Sequence, residues 1–279
     1  AIGNNYFRYF DLLVATAITT AGQLSIRWVE KSFNIYLNRI LKTDKVDYVI
    51  ASDTDSVYIT FDVLVGKVFQ SGATDDRIVE FLDKFAKEEL EPFIGKSYQA
   101  LAKNMNAYDQ KMQMAREAIA STGIWTAKKR YILNVWDMEG VRFKEPYLKI
   151  MGIEAVKSST PAPCREKIKQ ALKIIINGNE KELNAFIKDF REEFMNLPPE
   201  DIAYPRSCNG VEKYTATSKS TMDLISGETV EYGFFKKGAP IHTKGAILMN
   251  YLVEKNNLSA KYPFIQEGDK VKFIALKEP

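Results

Sequence analysis

A polar turn set between two β-branched segments constrains this 279-residue chain more than any other feature. Val46-Asp47-Tyr48-Val49-Ile50-Ala51 runs into Ser52-Asp53-Thr54-Asp55-Ser56 and out through Val57-Tyr58-Ile59-Thr60-Phe61. Short β-branched and aromatic runs around a polar cluster predict a β-hairpin that carries carboxylates at its tip. Two carboxylates one residue apart on a tight turn point to the same side and repel each other. Stability does not ask for that arrangement, and a bound cation is the usual remedy. Hard oxygen donors without His or Cys suit Mg²⁺, which binds through one or two carboxylates and substrate phosphates. Phosphoryl transfer with two metal ions uses this chemistry. The competing reading is a solvated acidic turn, which is common.

The patterning around the hairpin is mixed. From Asp11 to about Leu41, Val14, Ile18, Ala21, Trp28, Phe33, Leu37 and Ile40 recur at helical steps and predict one long amphipathic helix. Residues 76–104 carry a second helical pattern, with Pro92 expected to kink or divide it. Strands are expected over 112–120, 131–136 and 141–150, with a turn at Asp137-Met138-Glu139-Gly140. After Gly152 the character changes. Lys157-Ser158-Ser159-Thr160-Pro161 reads as a loop ending in a helix start, with Ser159 or Thr160 as N-cap. Helices are expected over 163–177 and 180–196, stopped by Leu197-Pro198-Pro199, and polar loops around 215–228. A domain boundary is placed near residue 152.

Charge and composition narrow the function classes. A net charge of +3 allows a nucleic-acid partner without implying one, so such a claim rests on local clusters. Cys164, Cys208 and the single His242 argue against a zinc site and against His-dependent catalysis. The most apolar early stretch, Leu12 to Ile26, is broken by Thr16, Thr19, Thr20, Gln23 and Ser25. With no leader pattern before it, the chain reads as cytosolic, with no membrane partner. It opens on Ala1-Ile2-Gly3-Asn4-Asn5, which a processed product or an excised fragment would explain.

An ordered series of motifs makes the hairpin more specific. Tyr48 to Tyr58 resembles motif C of family B DNA polymerases, written Y-x-D-T-D-S. Ala1-Ile2-Gly3-Asn4, Tyr6-Phe7-Arg8-Tyr9-Phe10-Asp11 and Ala15-Thr16-Ala17-Ile18-Thr19-Thr20 resemble the segment after motif B in the T-even-like phage enzymes. Trp125-Thr126-Ala127-Lys128-Lys129-Arg130-Tyr131 resembles their K-K-R-Y primer-contact motif, followed by Asn134-Val135-Trp136-Asp137-Met138-Glu139-Gly140. Leu148-Lys149-Ile150-Met151-Gly152, with Lys157-Ser158-Ser159-Thr160-Pro161, resembles their palm-to-thumb junction. The match runs along nearly the whole chain and is weakest beyond residue 200.

That resemblance implies an α+β fold: a palm part over 1–152, with an antiparallel sheet and packed helices, then a mainly helical thumb part over 153–279. It implies DNA-directed DNA polymerase chemistry in a phage-infected host cytoplasm, with primer-template DNA and deoxynucleoside triphosphates as partners and two Mg²⁺ ions in the complete site. Asp55 matches the motif C aspartate that binds both metals, Asp53 its less direct neighbour, and Glu117 a palm glutamate beside them. Lys128, Lys129, Arg130 and Tyr131, with Lys149, Lys157, Ser158 and Ser159, match DNA-contacting positions. Alternate residues of a strand face opposite ways, so only part of the Lys-Lys-Arg run can face one backbone; Lys129 and Tyr131 are favoured at the primer end. The plain alternatives are a strand-surface carboxylate for Glu117 and a solvated basic cap for Lys-Lys-Arg; Trp28, Trp125 and Trp136 are read as core, and His242 as structural, with a DNA contact as its alternative.

Departures from the pattern matter as much. Only Ser121-Thr122-Gly123-Ile124 joins Ala120 to Trp125, where the family carries a longer Gly- and Pro-rich stretch. Nothing resembles motif A, D-x-x-S-L-Y-P, and the fingers and exonuclease segments are absent. The ending Lys277-Glu278-Pro279 falls short of the family's clamp-binding tail. The resemblance therefore implies half of a metal site, completed by a complementary N-terminal piece that carries motif A, fingers and exonuclease. The alternative is a fragment that binds duplex DNA without catalysis.

Overall fold

Helix α1 (Leu12–Leu41) organises the first part of the chain. Asp11 caps it by accepting from the Val14 N–H (2.9 Å), and Lys42 ends it in the left-handed region at φ 52°. Only its C-terminal half is packed: Ser25, Val29, Phe33, Leu37 and Leu41 are buried one turn apart. The computed structural model describes residues 1–70, 72–222 and 228–274, which form two compact units, Ala1–Lys149 and Ile150–Pro279.

In the first unit, β1 (Val49–Asp53) and β2 (Ser56–Ile59) form the expected hairpin, with Ser52 opposite Val57 and Asp53 opposite Ser56. Tyr48, fully buried, anchors its base between Leu37, Leu41 and Leu64, and its hydroxyl pairs with Thr43 Oγ1 at 2.8 Å. After α2 (Asp62–Phe69), helix α3 (Asp75–Phe85) passes through a π-helical turn, Ala86–Leu90, into α4 (Glu91–Asn104). The π turn admits Pro92 at the start of α4, so the expected division is an inserted residue and the helical path continues. Ala86, Leu90, Ile94, Tyr98 and Leu101 close on Val29, Phe33 and Val49 of α1 and β1.

The three-stranded sheet of this unit is antiparallel where β3 meets β4, in the order β3 (Ala118–Ala127), β4 (Arg130–Met138), β5 (Val141–Met151). Residues 112–117, expected to be strand, lie outside it; β3 begins at Ala118. The reason is a charge cluster. Arg116, nearly buried, pairs with both Asp83 of α3 and Asp137 of β4, and its N–H donates to Glu91 Oε1 (3.0 Å). The backbone is therefore committed to side chains before it can join a ladder. Ser121 to Ile124, where the sequence is short, is continuous strand inside β3.

The second unit opens on a 3₁₀ turn, Glu154–Val156, and the helices α5 (Ala162–Asn177) and α6 (Glu180–Met195). The expected cap at Ser159 or Thr160 is not used: Pro161 holds the N-cap position and no side chain bonds the first turn. Asn179 caps α6 through the Glu182 N–H (3.1 Å). Then follow α7 (Pro199–Ile202), β6 (Tyr204–Ser207), α8 (Val211–Tyr214), the antiparallel pair β7 (Lys219–Met222) and β8 (Thr229–Tyr232), α9 (Ile241–Lys255) and β9 (Lys270–Phe273), which pairs with β6. Cys208, Val211, Ala246 and Ile247 form its core, and the His242 ring rests 5.8 Å from that of Phe273. Of the polar stretch 215–228, residues 223–227 lie outside the described residues, as does Lys277-Glu278-Pro279. The architecture is α+β with small antiparallel sheets.

Arg116→Met leaves Asp137, whose side chain is only 4% exposed, with Arg142 as its remaining cation among the described residues. Breaking a buried pair from one side costs about 3 kcal/mol. Urea unfolding of the variant should show that loss, and a midpoint within error of the parent would remove the network from the account of the fold.

Candidate active site

The acidic tip is built from backbone outward. The Asp55 N–H donates back to the Asp53 carbonyl (2.6 Å), closing a three-residue turn on Thr54 at φ 52°. A β-branched residue at positive φ is strained, and the turn compensates with two further bonds. Thr54 Oγ1 donates to Asp53 Oδ1 (3.0 Å) and Ser56 Oγ to the Asp53 carbonyl (3.1 Å). Ser52 Oγ donates to Glu30 of α1 (3.4 Å), which ties the tip to the middle of that helix.

A second tip faces the first. Lys128 and Lys129 are the two-residue turn between β3 and β4, with Lys129 at φ 61°; only Arg130 stands on a strand. This corrects the expectation that all three begin a strand and alternate in direction. A β-hairpin turn lets both lysines face forward together. Lys129 Nζ reaches Asp53 Oδ1 at 3.0 Å. The Lys129 hydrogen bond, then that of Thr54, holds the Asp53 carboxyl below the usual carboxylate range, and the Lys128 charge adds to it. Asp55 is exposed and makes no side-chain hydrogen bond or ion pair among the described residues.

Aromatic packing locks the two hairpins together. The Tyr58 ring on β2 lies 5.2 Å from Trp125 and 5.4 Å from Tyr131. Gly123 makes this possible, because a Cβ there would stand 2.6 Å from the Trp125 ring. Burial raises the Tyr131 phenol well above its ordinary pKa, helped by its hydrogen bond with Tyr58 and by the charges of Glu117 and Asp53. That phenol is a neutral hydrogen-bonding group at any physiological pH. Trp125, half-buried, packs against the core cluster of Tyr131, Leu133 and Val135, in line with the core position expected of it. Neither Tyr58 nor Trp125 stood out in the sequence as a site residue; the aromatic spacing at 58, 125 and 131 was the available signal.

The remaining candidates fall into place separately. Glu117 pairs with Lys149 of β5 (2.6 Å). Among the described residues no three His, Cys, Asp or Glu side chains gather closely enough to hold a metal ion, so Glu117 does not join Asp53 and Asp55 in one cluster. In the second unit Lys157 pairs with Glu154 (2.9 Å), Ser158 is exposed and Ser159 half-buried.

No protein-family model matches the chain. The whole chain is 39% identical, over 287 residues, to the DNA-directed DNA polymerase of Escherichia phage RB69, and 35% identical to that of Enterobacteria phage T4. This chain is similar, end to end, to part of the T4-like phage DNA polymerases. It spans about 30% of the length of those relatives. The polymerase-like segment therefore includes the acidic tip, the basic turn and the aromatic lock between them.

Two outcomes check this geometry. Gly123→Ala should expel Trp125 from its seat on Tyr58, costing about 1–3 kcal/mol by overpacking and changing the near-UV circular dichroism; an unchanged spectrum would mean that the lock is loose. Lys129→Met should raise the Asp53 titration midpoint, followed by carbon NMR of its carboxyl, because the partner that favours its charged form is gone. A midpoint that stays put would place Lys129 elsewhere in solution.

Proposed function

We propose that this chain is part of a DNA-directed DNA polymerase: the first unit a palm portion that carries half of a two-metal site, the second a thumb portion that holds duplex. The observation that carries this reading is the similarity of the whole chain to two phage DNA polymerases, which includes the acidic and basic tips. The substrates are primer-template DNA and deoxynucleoside triphosphates, in the cytoplasm of the phage-infected host.

The donor set fits Mg²⁺. Asp55 offers an exposed carboxylate, Asp53 a second one residue away, and this ion needs only one or two protein carboxylates because it keeps waters and binds phosphates. When bound, Mg²⁺ activates the attacking oxygen and steadies charge on the leaving group. The chain's own residues do the rest. Asp55 holds metal, Asp53 supports it, and Glu117 stands as an accessory carboxylate near the phenol of Tyr131. Lys128, Lys129 and Arg130 meet primer phosphates, with Tyr131 at the primer end, while Lys149, Lys157, Ser158 and Ser159 position the duplex without reading sequence. Lys129 serves both sides, since a phosphate that takes this lysine frees Asp53.

With Asp53 and Asp55 together and Glu117 apart from them among the described residues, the site needs a further carboxylate, supplied by a complementary N-terminal polypeptide that carries motif A, the fingers and the exonuclease. Alone the chain binds duplex DNA and does not extend a primer. The test is primer extension by the chain, with and without that polypeptide. Extension should require both, and Asp55→Ala should lower it on the order of 10³-fold, several kcal/mol of lost metal stabilisation. Duplex affinity should fall with salt, and Lys129→Ala should reduce that slope by about one. Full extension by the Asp55→Ala protein would end the assignment.

A further inference from the structure

A cavity of about 320 Å³ lies along one face of α9 in the second unit. Ile247, Asn250, Tyr251 and Glu254 line it at three- and four-residue steps, so one helix face presents all four. Phe234 and Phe264 supply further aromatic walls. Both walls are pinned by hydrogen bonds. The Ala216 N–H donates to the Phe234 carbonyl (3.0 Å) and the Lys236 N–H to the Tyr214 carbonyl (2.8 Å). Asn250 Oδ1 accepts from the Ile265 N–H (2.8 Å) and its Nδ2 donates to the Ile265 carbonyl (2.9 Å), which ties the residue after Phe264 to the helix. Ile247, only 5% exposed, gives the cavity an apolar floor.

The charge at this cavity is one-sided. Glu254 stands in the last turn of α9, where the negative end of the helix dipole adds to its carboxylate. Among the described residues that carboxylate makes no hydrogen bond or ion pair. Lys255 does not neutralise it, because its Nζ is held by Glu231 at 3.0 Å. The same lysine stands over the Tyr251 ring, 5.4 Å from its centroid, so this ring already carries a cation. The Phe234 and Tyr251 centroids are 4.5 Å apart with the rings tilted at 46°. Aromatic faces beside an uncompensated carboxylate attract a cation that has an apolar body. They repel a phosphate, which excludes a nucleotide or the DNA backbone as the occupant.

We infer that this cavity binds a small organic cation, an alkylammonium or guanidinium head on a short aliphatic body. The head sits at Glu254 and Tyr251, and the body lies on Ile247, Phe234 and Phe264. Nothing in this depends on polymerase activity, because every residue used belongs to the second unit. The volume is at the small end of ligand cavities, which suits a short body and leaves no room for a large ring system. A free amine and a Lys or Arg side chain of a polypeptide offer the same head.

The test uses the 279-residue chain with n-butylammonium, n-butylguanidinium and the neutral isostere 1-butanol, each followed by methyl NMR of Ile247. The two cations should give saturable shifts and bind about tenfold tighter than butanol. Glu254→Gln, at an exposed position, keeps the shape and removes the charge; it should weaken both cations about tenfold. Tyr251→Leu should weaken them about three- to tenfold. Far-UV circular dichroism should match the parent in both variants, and if Tyr251→Leu unfolds the unit, Glu254→Gln carries the test. N-acetyl-lysine methylamide and N-acetyl-arginine methylamide separate the sources. Tighter binding than the butyl cations assigns the cavity to a polypeptide side chain, and weaker binding assigns it to a free amine. Butanol binding as well as butylammonium, or cation binding indifferent to Glu254→Gln, would overturn the inference. So would deoxyadenosine monophosphate binding that Glu254→Gln strengthens.

Discussion

Repulsion between two carboxylates one residue apart is the constraint around which the first unit is arranged. At the two ends of a three-residue turn Asp53 and Asp55 cannot move apart through backbone freedom, because the turn is closed by the Asp55 N–H on the Asp53 carbonyl. The fold answers the repulsion unequally. Asp53 accepts from Thr54 and Lys129, while Asp55 is left exposed. Hydrogen bonds to a charged carboxylate favour that form, and those of Lys129 and Thr54 hold the Asp53 carboxyl below the usual carboxylate range. The tip thus carries one carboxylate that is paired and one that is open to solvent.

Holding the tip still requires the β1–β2 hairpin to be fixed at both ends. Its base is fixed by Tyr48 beneath α1, a fully buried ring with a satisfied hydroxyl. Its far end has no core of its own and leans on β3 and β4 through Tyr58, Trp125 and Tyr131. Those strands are in turn held to α3 by Arg116 between Asp83 and Asp137. The chain of support thus runs from helix to ion pair to sheet to aromatic lock to acidic tip. A change at Arg116 or Gly123, neither of which touches the carboxylates, alters where they point. Asp55, Lys128 and Lys129 themselves lie on turns, which the strands and aromatic rings behind them hold in place.

Local patterning in the sequence revealed the elements, and long-range pairing decided what it did not reveal. The hairpin was legible from its β-branched and aromatic runs around a polar cluster, and α1 from its period. The strand expected over 112–117 failed because Arg116 finds its two carboxylates 33 and 21 residues away, a pairing that no periodicity records. The cap expected at Ser159 or Thr160 failed because Pro161, with its fixed φ, takes that position itself. Lys128 and Lys129 read as the start of a strand because the run into Tyr131 is β-forming; the turn is visible only once Ala127 and Arg130 are seen as partners. For the candidate site, residue identity at Asp53 and Asp55 came from the motif. Its electrostatics, the Lys129 contact above all, came only from bringing two hairpins together.

That contact changes how the basic residues should be counted. The net charge of +3 is too small to draw a polyanion by itself, and the lysines near the site are not free positive charges. Lys129 is held by Asp53 and Lys149 by Glu117. Each of these two lysines is thus partly neutralised by its own carboxylate, and the local positive charge around the hairpin tips is smaller than a count of lysines suggests.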